Sequence, residues 1–463
     1  MFSRKLLRPA AAAFLGCSLA VIVPAQTFTS LATFDGSNGE TPNWGALVQG
    51  LDGAFYGVTI DAWGDIYKVP PDGNFAVVFG FSPTNGRGCD PWAGLVLGAD
   101  GNFYGSTKFG GPPNGEASLL YKMTPSGSLG TVYTFALNGP YADTIWDAMM
   151  QANDGNFYGT IKNGGTNGYG SVFKLTPDGT FTVLYSFSNT DGSTPTGSLV
   201  QAGNGNLYGT TYYGGPYGVG TIFEMTLAGK LTPLHAFRRT DGAGPQGGLI
   251  QAADGNFYGT TIGGGANDQG TVFQFTGSGT LTTLYSFKGP DGAHPRQNVI
   301  QANDGNFYGT TAAGGAPGQG TVFELTPRGE LTTLHTFSGP DGANPWATLV
   351  QGTDGRFYGT TSGGGTAPPG NGADGTVFRL DTGLPPFVAA LPVYGIAGEE
   401  IRILGTDLSG ATGVIFNGVP ASFTVVSPAQ IVATVPAGAT SGHVQVNVPA
   451  GTLSTVGPFQ VMR

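Results

Sequence analysis

Asp254-Gly-Asn-Phe-Tyr-Gly-Thr-Thr261 is the stretch that decides the fold, because it returns almost unchanged at residues 304–311. Its Tyr-Gly pair recurs with gaps of 48, 54, 50, 50, 50 and 50 residues, at Tyr56, Tyr104, Tyr158, Tyr208, Tyr258, Tyr308 and Tyr358. A period of about 50 residues is typical of solenoids, propellers and other arrays. The chain is therefore built largely from one repeated unit.

Each unit reads as four short strands. In the unit that contains the octet, an apolar strand at residues 248–252 is followed by Asp254-Gly255, a dipeptide favoured in tight hairpins because both central residues tolerate φ > 0. Residues 256–261 and 271–275 form the second and third strands, and a further tight turn precedes the fourth at 280–287. Repeated four-stranded units of this size predict a β-propeller.

The count of strands predicts how the repeat ends. The first three strands occur seven times, but a fourth strand follows only six of them. Residues 27–34 resemble a fourth strand placed at the front of the chain, so we expect them to pair with residues 375–380. The predicted fold is all-β: a seven-bladed β-propeller whose N-terminal strand closes the last blade.

The period disappears from Pro385 onward, where short alternating strands predict an immunoglobulin-like β-sandwich. Ile403-Leu-Gly-Thr-Asp-Leu408, Phe416-Asn-Gly-Val-Pro-Ala421 and Gln430-Ile-Val-Ala-Thr-Val-Pro436 resemble the IPT/TIG domain. The repeats from Phe34 to Leu380 resemble the GloVer tandem-repeat family of exported bacterial proteins. That resemblance implies export and implies no particular reaction.

The N-terminus reads as a secretory signal. A basic start at Arg4, Lys5 and Arg8 is followed by an apolar stretch and by Ala25, a small residue suited to cleavage before Gln26. Cleavage as a lipoprotein at Cys17 is an alternative. The expected domains are a signal peptide at 1–25, the propeller at 26–382, a linker at 383–386 and the IPT/TIG-like sandwich at 387–463. The mature chain is expected to be a secreted, surface or periplasmic protein without a membrane span.

Charge and chemistry-bearing residues exclude several functions. The chain has 29 Asp and Glu against 19 Lys and Arg, a formal charge of −10, and no basic stripe, so no nucleic-acid partner is expected. Cys89 is the only cysteine after the signal, and no histidine stands in a zinc-binding or catalytic spacing. We therefore predict no metal, no cofactor and no catalytic residue.

The recurrent acidic turns could suggest calcium, since six of the seven units carry Asp beside Gly. A calcium loop needs several oxygen ligands that converge, whereas a single Asp beside a Gly suits a tight turn for backbone reasons alone. Asn204 takes the place of Asp in the fourth unit, and Asn serves such a turn equally well. We interpret these positions as structural.

The candidate site is on the rim of the propeller opposite these tight turns, where the longer loops vary between units. Five residues before the end of each first strand, the chain reads Trp44, Trp92, Trp146, Thr196, Gln246, Arg296 and Trp346. The ligand-binding candidates are Trp44, Trp63, Trp92, Trp146, Trp346, Arg296, Tyr212 and Tyr213. Tryptophan suits stacking on sugar rings or on aromatic side chains. Packing between neighbouring first strands is the alternative interpretation.

These observations favour a non-catalytic binding or adhesion protein, a monomer that recognises an extracellular carbohydrate or protein through the long-loop face. An enzyme, either a polysaccharide lyase or a glycoside hydrolase with acids at the channel mouth, is the first alternative. A structural surface protein is the second. Carboxylates that converge beside the tryptophans would favour the enzyme, and a mouth of aromatic and amide side chains would favour the binder.

Overall fold

The computed structural model describes residues 26–36, 38–42, 45–60, 63–82, 88–111, 117–136, 145–366 and 373–462. The signal peptide expected at residues 1–25 therefore lies outside the described residues. Within these ranges the chain is made of strands and turns, and its one helical segment is the three-residue 3₁₀ turn Leu408–Gly410. None of the described segments forms a helix long and apolar enough to cross a membrane.

The repeat region forms seven four-stranded antiparallel sheets. Sheets 1 to 6 take four consecutive strands each, beginning with β2, and sheet 7 has the order β1-β28-β27-β26. The strands are β1 (Thr27–Thr33), β2 (Val48–Gln49), β3 (Phe55–Val58), β4 (Asp65–Val69), β5 (Ala76–Gly80), β6 (Val96–Leu97), β7 (Phe103–Gly111), β8 (Ala117–Met123), β9 (Leu129–Thr134), β10 (Met150–Gln151), β11 (Phe157–Ile161), β12 (Ser171–Leu175), β13 (Phe181–Ser186), β14 (Val200–Gln201), β15 (Leu207–Thr211), β16 (Thr221–Met225), β17 (Leu231–Ala236), β18 (Ile250–Gln251), β19 (Phe257–Thr261), β20 (Thr271–Phe275), β21 (Leu281–Ser286), β22 (Ile300–Gln301), β23 (Phe307–Thr311), β24 (Thr321–Leu325), β25 (Leu331–Thr336), β26 (Val350–Gln351), β27 (Phe357–Thr361) and β28 (Thr376–Asp381).

The N-terminal strand joins the last sheet. Thr27 pairs with Asp381 and Thr33 pairs with Thr376, so β1 runs antiparallel to β28 along its whole length. This is the pairing that the sequence predicts for residues 27–34. Phe34, just past the strand, is fully buried in a cluster that includes Phe55 of sheet 1 and Tyr358 of sheet 7.

The octet at residues 254–261 makes the contacts that join one sheet to the next. The Tyr258 ring stacks on Phe307 of the following sheet, with ring centroids 4.1 Å apart. The Tyr258 hydroxyl donates to the Asp254 carboxylate at 2.8 Å, which fixes the ring in place. Gly259 has to be glycine, because a Cβ there would stand 2.7 Å from the Phe273 ring. The tyrosine-to-phenylalanine contact recurs at other seams, at Tyr56–Phe103, Tyr104–Phe157, Tyr208–Phe257, Tyr308–Phe357 and, between sheets 7 and 1, Tyr358–Phe55.

The tight hairpin turn predicted at Asp254-Gly255 is present, but only one of its two residues has positive φ. The Ala252 backbone N–H donates to the Asn256 carbonyl, and the Gly255 N–H donates to the Ala252 carbonyl, so the loop has three residues. Gly255 has φ 80°, whereas Asp254 is not among the residues with positive φ. This is a type I turn followed by a left-handed glycine. The Asp254 carboxylate accepts the Asn256 N–H at 3.0 Å and the tyrosine hydroxyl, and both contacts need this turn.

Glutamines at the end of the first strands link the sheets near their inner edges. The Gln251 side chain accepts from the Gly203 N–H of the preceding sheet and donates to the carbonyl of Gly255 in its own turn, both at 3.0 Å. The same link occurs at Gln151, Gln201, Gln301 and Gln351. The Gln49 side chain accepts from the Thr353 N–H at 3.0 Å and so links sheet 7 to sheet 1.

Between sheets 1 and 2 this link is replaced by hydrophobic packing. Leu97 stands where the other units have glutamine, and it belongs to a buried cluster that also contains Leu404 of the C-terminal domain. Two hydrogen bonds hold that domain nearby: Arg402 donates to the Ala99 carbonyl, and the Tyr394 hydroxyl donates to the Ala152 carbonyl at 2.8 Å. The domain therefore covers part of the face that carries the short turns.

The C-terminal domain is a β-sandwich with a core of its own. It has two four-stranded sheets, β29-β31-β35-β34 and β33-β32-β36-β37, and the parallel pair β30-β38. Its strands are β29 (Ala389–Leu391), β30 (Tyr394–Gly395), β31 (Glu400–Leu404), β32 (Gly413–Phe416), β33 (Val419–Ala421), β34 (Phe423–Ser427), β35 (Gln430–Thr434), β36 (Val444–Val448), β37 (Gly451–Ser454) and β38 (Gln460–Val461). A hairpin at Asn417-Gly418, where both residues have positive φ, joins β32 to β33.

Candidate functional site

The long-loop face carries the connections between sheets and the loops between second and third strands. These two sets of segments pair with each other through isolated bridges, such as Ser193 with Tyr213 and Ala293 with Ala313. The same pairing joins Cys89 to Phe109 in sheet 2. The face is therefore held by backbone hydrogen bonds and can present side chains in fixed positions.

In five of the described connectors, a non-glycine residue with positive φ sets the backbone just before the candidate position. Thr194 has φ 57°, which is unusual for a β-branched residue, and a proline follows it. Its N–H donates to the Tyr169 carbonyl of sheet 3 at 2.9 Å, and its carbonyl accepts the Tyr212 N–H of sheet 4 at 3.0 Å. Thr41, Asp90, His294 and Asn344 have the same positive φ and the same following proline. Such strain costs about 1–3 kcal/mol per residue, and here it aligns the loops of neighbouring sheets.

Two of the predicted tryptophans meet on this face. The Trp92 and Trp146 rings lie 4.9 Å apart at an angle of 54°, and both side chains are half-buried. A lysine Nζ covers each ring: Lys108 is 4.7 Å from the Trp92 centroid, and Lys162 is 3.6 Å from that of Trp146. The lysines occupy equivalent positions, four residues after the octet tyrosine. Neither lysine is among the sequence-predicted candidates, although this shared register could have identified both.

The other half of the candidate set is built around Arg296. Its guanidinium carbon is 4.9 Å from the Trp346 ring, and burial lowers the pKa of Arg296 below its usual range. Burial also raises the pKa of the Tyr212 hydroxyl, while the Arg296 charge acts in the opposite direction, so the two side chains are within electrostatic reach. The equivalent residues of sheets 4 and 5, Thr196 and Gln246, are buried and present little surface to a ligand.

The remaining candidates differ in their exposure. Trp63 is 49% exposed and Tyr213 is 52% exposed, and the Tyr213 ring packs edge-on against Tyr212 at 4.4 Å. The Trp63 carbonyl accepts the Asp90 N–H, which places Trp63 beside the connector to sheet 2. Trp44 lies outside the described residues.

Two carboxylates stand beside the tryptophans. Asp147 accepts the Ala148 N–H at 2.8 Å and the Ser198 N–H at 3.0 Å, so it ties sheet 3 to sheet 4. Burial raises the pKa of Asp147 to about 6. Burial also raises the pKa of Asp90, and the Lys108 charge opposes that shift. Across the described part of the chain, no three His, Cys, Asp or Glu side chains come together in a way that could hold a metal.

Comparison with known proteins identifies both parts of the chain. The Gloeobacter/Verrucomicrobia repeat matches residues 116–300 and 231–386, which together make up more than half of the chain, and the IPT/TIG domain matches residues 387–461. No curated protein gives a match.

Among the solved structures that resemble this chain, one with a TM-score of 0.50 supports the fold alone, because its identity is low. The WD40 β-propeller domain of Doa1 is 10% identical, has a TM-score of 0.50, and aligns over 77% of this chain and 97% of its own. A gluconolactonase from Xanthomonas campestris is 13% identical, with a TM-score of 0.40 over 82% of this chain and 99% of its own.

Proposed function

The chain belongs to the Gloeobacter/Verrucomicrobia repeat family, and on that premise we propose that it is an exported, non-catalytic binding protein. Its seven sheets close into a seven-bladed propeller, and it recognises a carbohydrate or a protein at the cell envelope through the long-loop face. Closure is supported by the Gln49–Thr353 link and by the stack of Phe55 on Tyr358, whose ring centroids are 3.8 Å apart.

The distribution of exposed aromatic side chains carries the proposal. Among the described residues, every strongly exposed aromatic side chain lies in a second-to-third-strand segment of sheets 1 to 4: Trp63, Phe109, Tyr169, Tyr213 and Tyr217. The strongly exposed large aliphatic residues lie elsewhere, at Val77, Val393, Ile396, Val426 and Met462. Apolar surface concentrated on one face marks a site where a partner docks. Rigid aromatic rings also supply contact area at low entropic cost.

The contacts of the C-terminal domain lie on the face opposite the long loops, so the long-loop face stays open to a ligand. Its contacts with Ala99 and Ala152, and the 3.1 Å contact of Thr406 with Thr353, all fall at the short turns. A ligand would therefore approach the propeller from the long-loop side.

A glycan and peptidoglycan panel with residues 26–463 tests the proposal. Trp63→Ala and Tyr213→Ala should weaken binding of the ligand by about tenfold each, since an aromatic contact contributes about 0.5–1.5 kcal/mol beyond the area that it buries. Val77→Ala is the matched control, because Val77 is 46% exposed but lies on an outer strand away from the face. Binding that survives both aromatic substitutions unchanged would overturn the proposal.

A polysaccharide lyase or glycoside hydrolase is the second candidate, and Asp147 beside Trp146 is the observation that favours it. A carboxyl group with a pKa of about 6 suits a general acid. Its hydrogen bonds to two backbone N–H groups favour a positioning role instead. Release of reducing or unsaturated ends from the bound glycan, abolished in Asp147→Asn, would establish the enzyme.

A further inference from the structure

We propose that the long-loop face binds a neutral polysaccharide through two equivalent pairs of aromatic side chains. This inference rests on the proposed function and names the ligand class of the same face. Trp63 and Phe109 form the first pair, at the seam between sheets 1 and 2, and Tyr169 and Tyr213 form the second, at the seam between sheets 3 and 4. All four side chains are 41–52% exposed.

The first pair is attached to the connector that joins sheet 1 to sheet 2. The Asp90 N–H donates to the Trp63 carbonyl at 2.9 Å. Cys89, one residue earlier, exchanges backbone hydrogen bonds with Phe109 at 2.7 and 3.3 Å. The two ring residues, which come from different sheets, are therefore held beside each other by one short segment.

The second pair repeats this construction two sheets later. The Thr194 N–H donates to the Tyr169 carbonyl at 2.9 Å, and Ser193 exchanges backbone hydrogen bonds with Tyr213 at 2.8 and 3.0 Å. Thr194 has φ 57° and Asp90 has φ 59°, so the two connectors share one backbone conformation. The two pairs are therefore equivalent sites on the same face.

Three other seams keep the backbone and lack the rings. A pair is defined by the residue two before a third strand and by the residue five after the octet tyrosine of the next sheet. Between sheets 4 and 5, 5 and 6, and 6 and 7, these positions hold Val219 and Gly263, Gln269 and Ala313, and Gln319 and Gly363. The same hydrogen bonds form at those seams, so the scaffold does not need the aromatic side chains.

Separate, half-exposed rings suit sugars better than a protein surface. The strongly exposed aliphatic residues lie away from these pairs, whereas the core of a protein interface packs aliphatic and aromatic side chains together. A pyranose ring offers a flat C–H face for stacking, and its hydroxyls can bond the polar groups of Trp63, Tyr169 and Tyr213. Successive sugars of one chain can then occupy both pairs.

The charges of this face favour an uncharged chain. Aspartates recur in its connectors in a chain of net charge −10, so a polyanion is repelled, at Asp191, Asp241, Asp291 and Asp341. Asp191, which belongs to the connector of the second pair, accepts the Ser188 N–H at 2.9 Å and the Tyr185 hydroxyl. Its carboxylate is therefore already bonded within the loop and is poorly placed to attract a polycation.

Polymers and their short fragments test the inference with the chain 26–463. Titration calorimetry compares a mixed-linkage β-glucan, a galactomannan and dextran with the disaccharide of each, and polygalacturonate is the charged comparison. We expect at least one neutral polymer to bind about tenfold or more tightly than its disaccharide, because only the polymer reaches both pairs. Polygalacturonate should bind more weakly than that neutral polymer.

Removing one pair at a time connects that difference to named residues. Trp63→Ala with Phe109→Ala, or Tyr169→Ala with Tyr213→Ala, should lower the affinity for the polymer about tenfold and leave the disaccharide bound by the remaining pair. Gln269→Ala is the control, because the Gln269 carbonyl accepts the His294 N–H at 2.9 Å in the equivalent position of a seam without rings. Thermal melts check that each variant is folded.

The outcomes separate this inference from the proposed function. A neutral polymer that binds no tighter than its disaccharide, or that keeps its affinity when either pair is removed, overturns the two-pair site. Tighter binding of polygalacturonate overturns the neutral ligand. If no polysaccharide binds and a protein is captured through Trp63 and Tyr213, the inference is wrong and the proposed function stands. If neither Trp63→Ala nor Tyr213→Ala changes any interaction, the proposed function falls with it.

Discussion

Replacing Phe34 by alanine should weaken the packing between sheets 7 and 1 more than the substitution of any exposed residue would. Phe34 has no exposed surface, and its ring packs edge-on against Tyr67 at 5.2 Å and Phe75 at 5.5 Å. Removing a fully buried phenylalanine costs about 3–5 kcal/mol, part of which is the cavity left behind. We expect a loss of that size in the free energy of unfolding.

Urea unfolding of residues 26–463, followed by hydrogen exchange, measures the effect. Phe187→Ala is the matched control, because Phe187 is also fully buried at the end of a fourth strand, but that strand directly follows the other strands of its sheet and packs away from β28. Both variants should lose similar stability. In Phe34→Ala alone, amides of Thr376–Asp381 should exchange faster, because β1 can separate from β28 as a unit.

The reasoning would be refuted by a loss below about 1 kcal/mol, which is the cost of a poorly buried side chain. Unchanged exchange at Thr376–Asp381 would refute the special role of β1 even if the stability falls. Deletion of residues 26–36 is the stronger form of the same test and should lower the melting temperature sharply.

Three further predictions concern stability. Tyr258→Phe keeps the stack on Phe307 but removes the hydroxyl bonded to Asp254, and should cost about 1–2 kcal/mol in urea unfolding. Leu404→Ala should cost roughly 2–4 kcal/mol and speed hydrogen exchange at Leu97, since Leu404 shares a buried cluster with that residue. Unchanged exchange at Leu97 would show that the C-terminal domain does not stabilise the contact between sheets 1 and 2. The Asp147 pKa of about 6 lies above the ordinary 3.8, so the folded protein holds this proton more tightly and loses stability as pH rises from about 4 to 6. The stability of the protein minus that of Asp147→Asn, from melts at a series of pH values, should therefore fall by up to about 3 kcal/mol across that window; a flat difference would contradict the shift.

The sequence predicts the repeated sheets well because their cause is local. Alternating apolar residues and glycine turns define each strand, and the missing fourth strand predicts the place of β1. The sequence predicts the tight turn at Asp254-Gly255 but not the negative φ of Asp254, because that dipeptide suits both two- and three-residue loops. The Asp254 carboxylate in this turn also accepts a hydrogen bond from the hydroxyl of Tyr258, four residues later. A rule based on the dipeptide alone does not include that contact.

The candidate site was only partly predictable, because its chemistry arises between units. The alignment places Trp92, Trp146 and Trp346 at one position, but it does not show that each carries a cation. Lys108 and Lys162 look like ordinary surface lysines until the sheets set them beside the rings. The docking of the C-terminal domain had one sequence signal, Leu97 in a series of glutamines, which becomes meaningful only once Leu404 is seen against it.

The pairing of β1 with β28 has a consequence for the order in which the chain can fold. Thr27 is made early and its partner Asp381 late, so the first strand must wait for most of the protein to be synthesised. Bringing ends that far apart together costs roughly 5 kcal/mol of loop-closure entropy if the intervening chain is unfolded. If the sheets form one after another along the chain, each new sheet shortens the unfolded segment between β1 and β28. The earliest strand to emerge is therefore the last to find its place, and until then the open edge of the final sheet is a template on which another chain could pair.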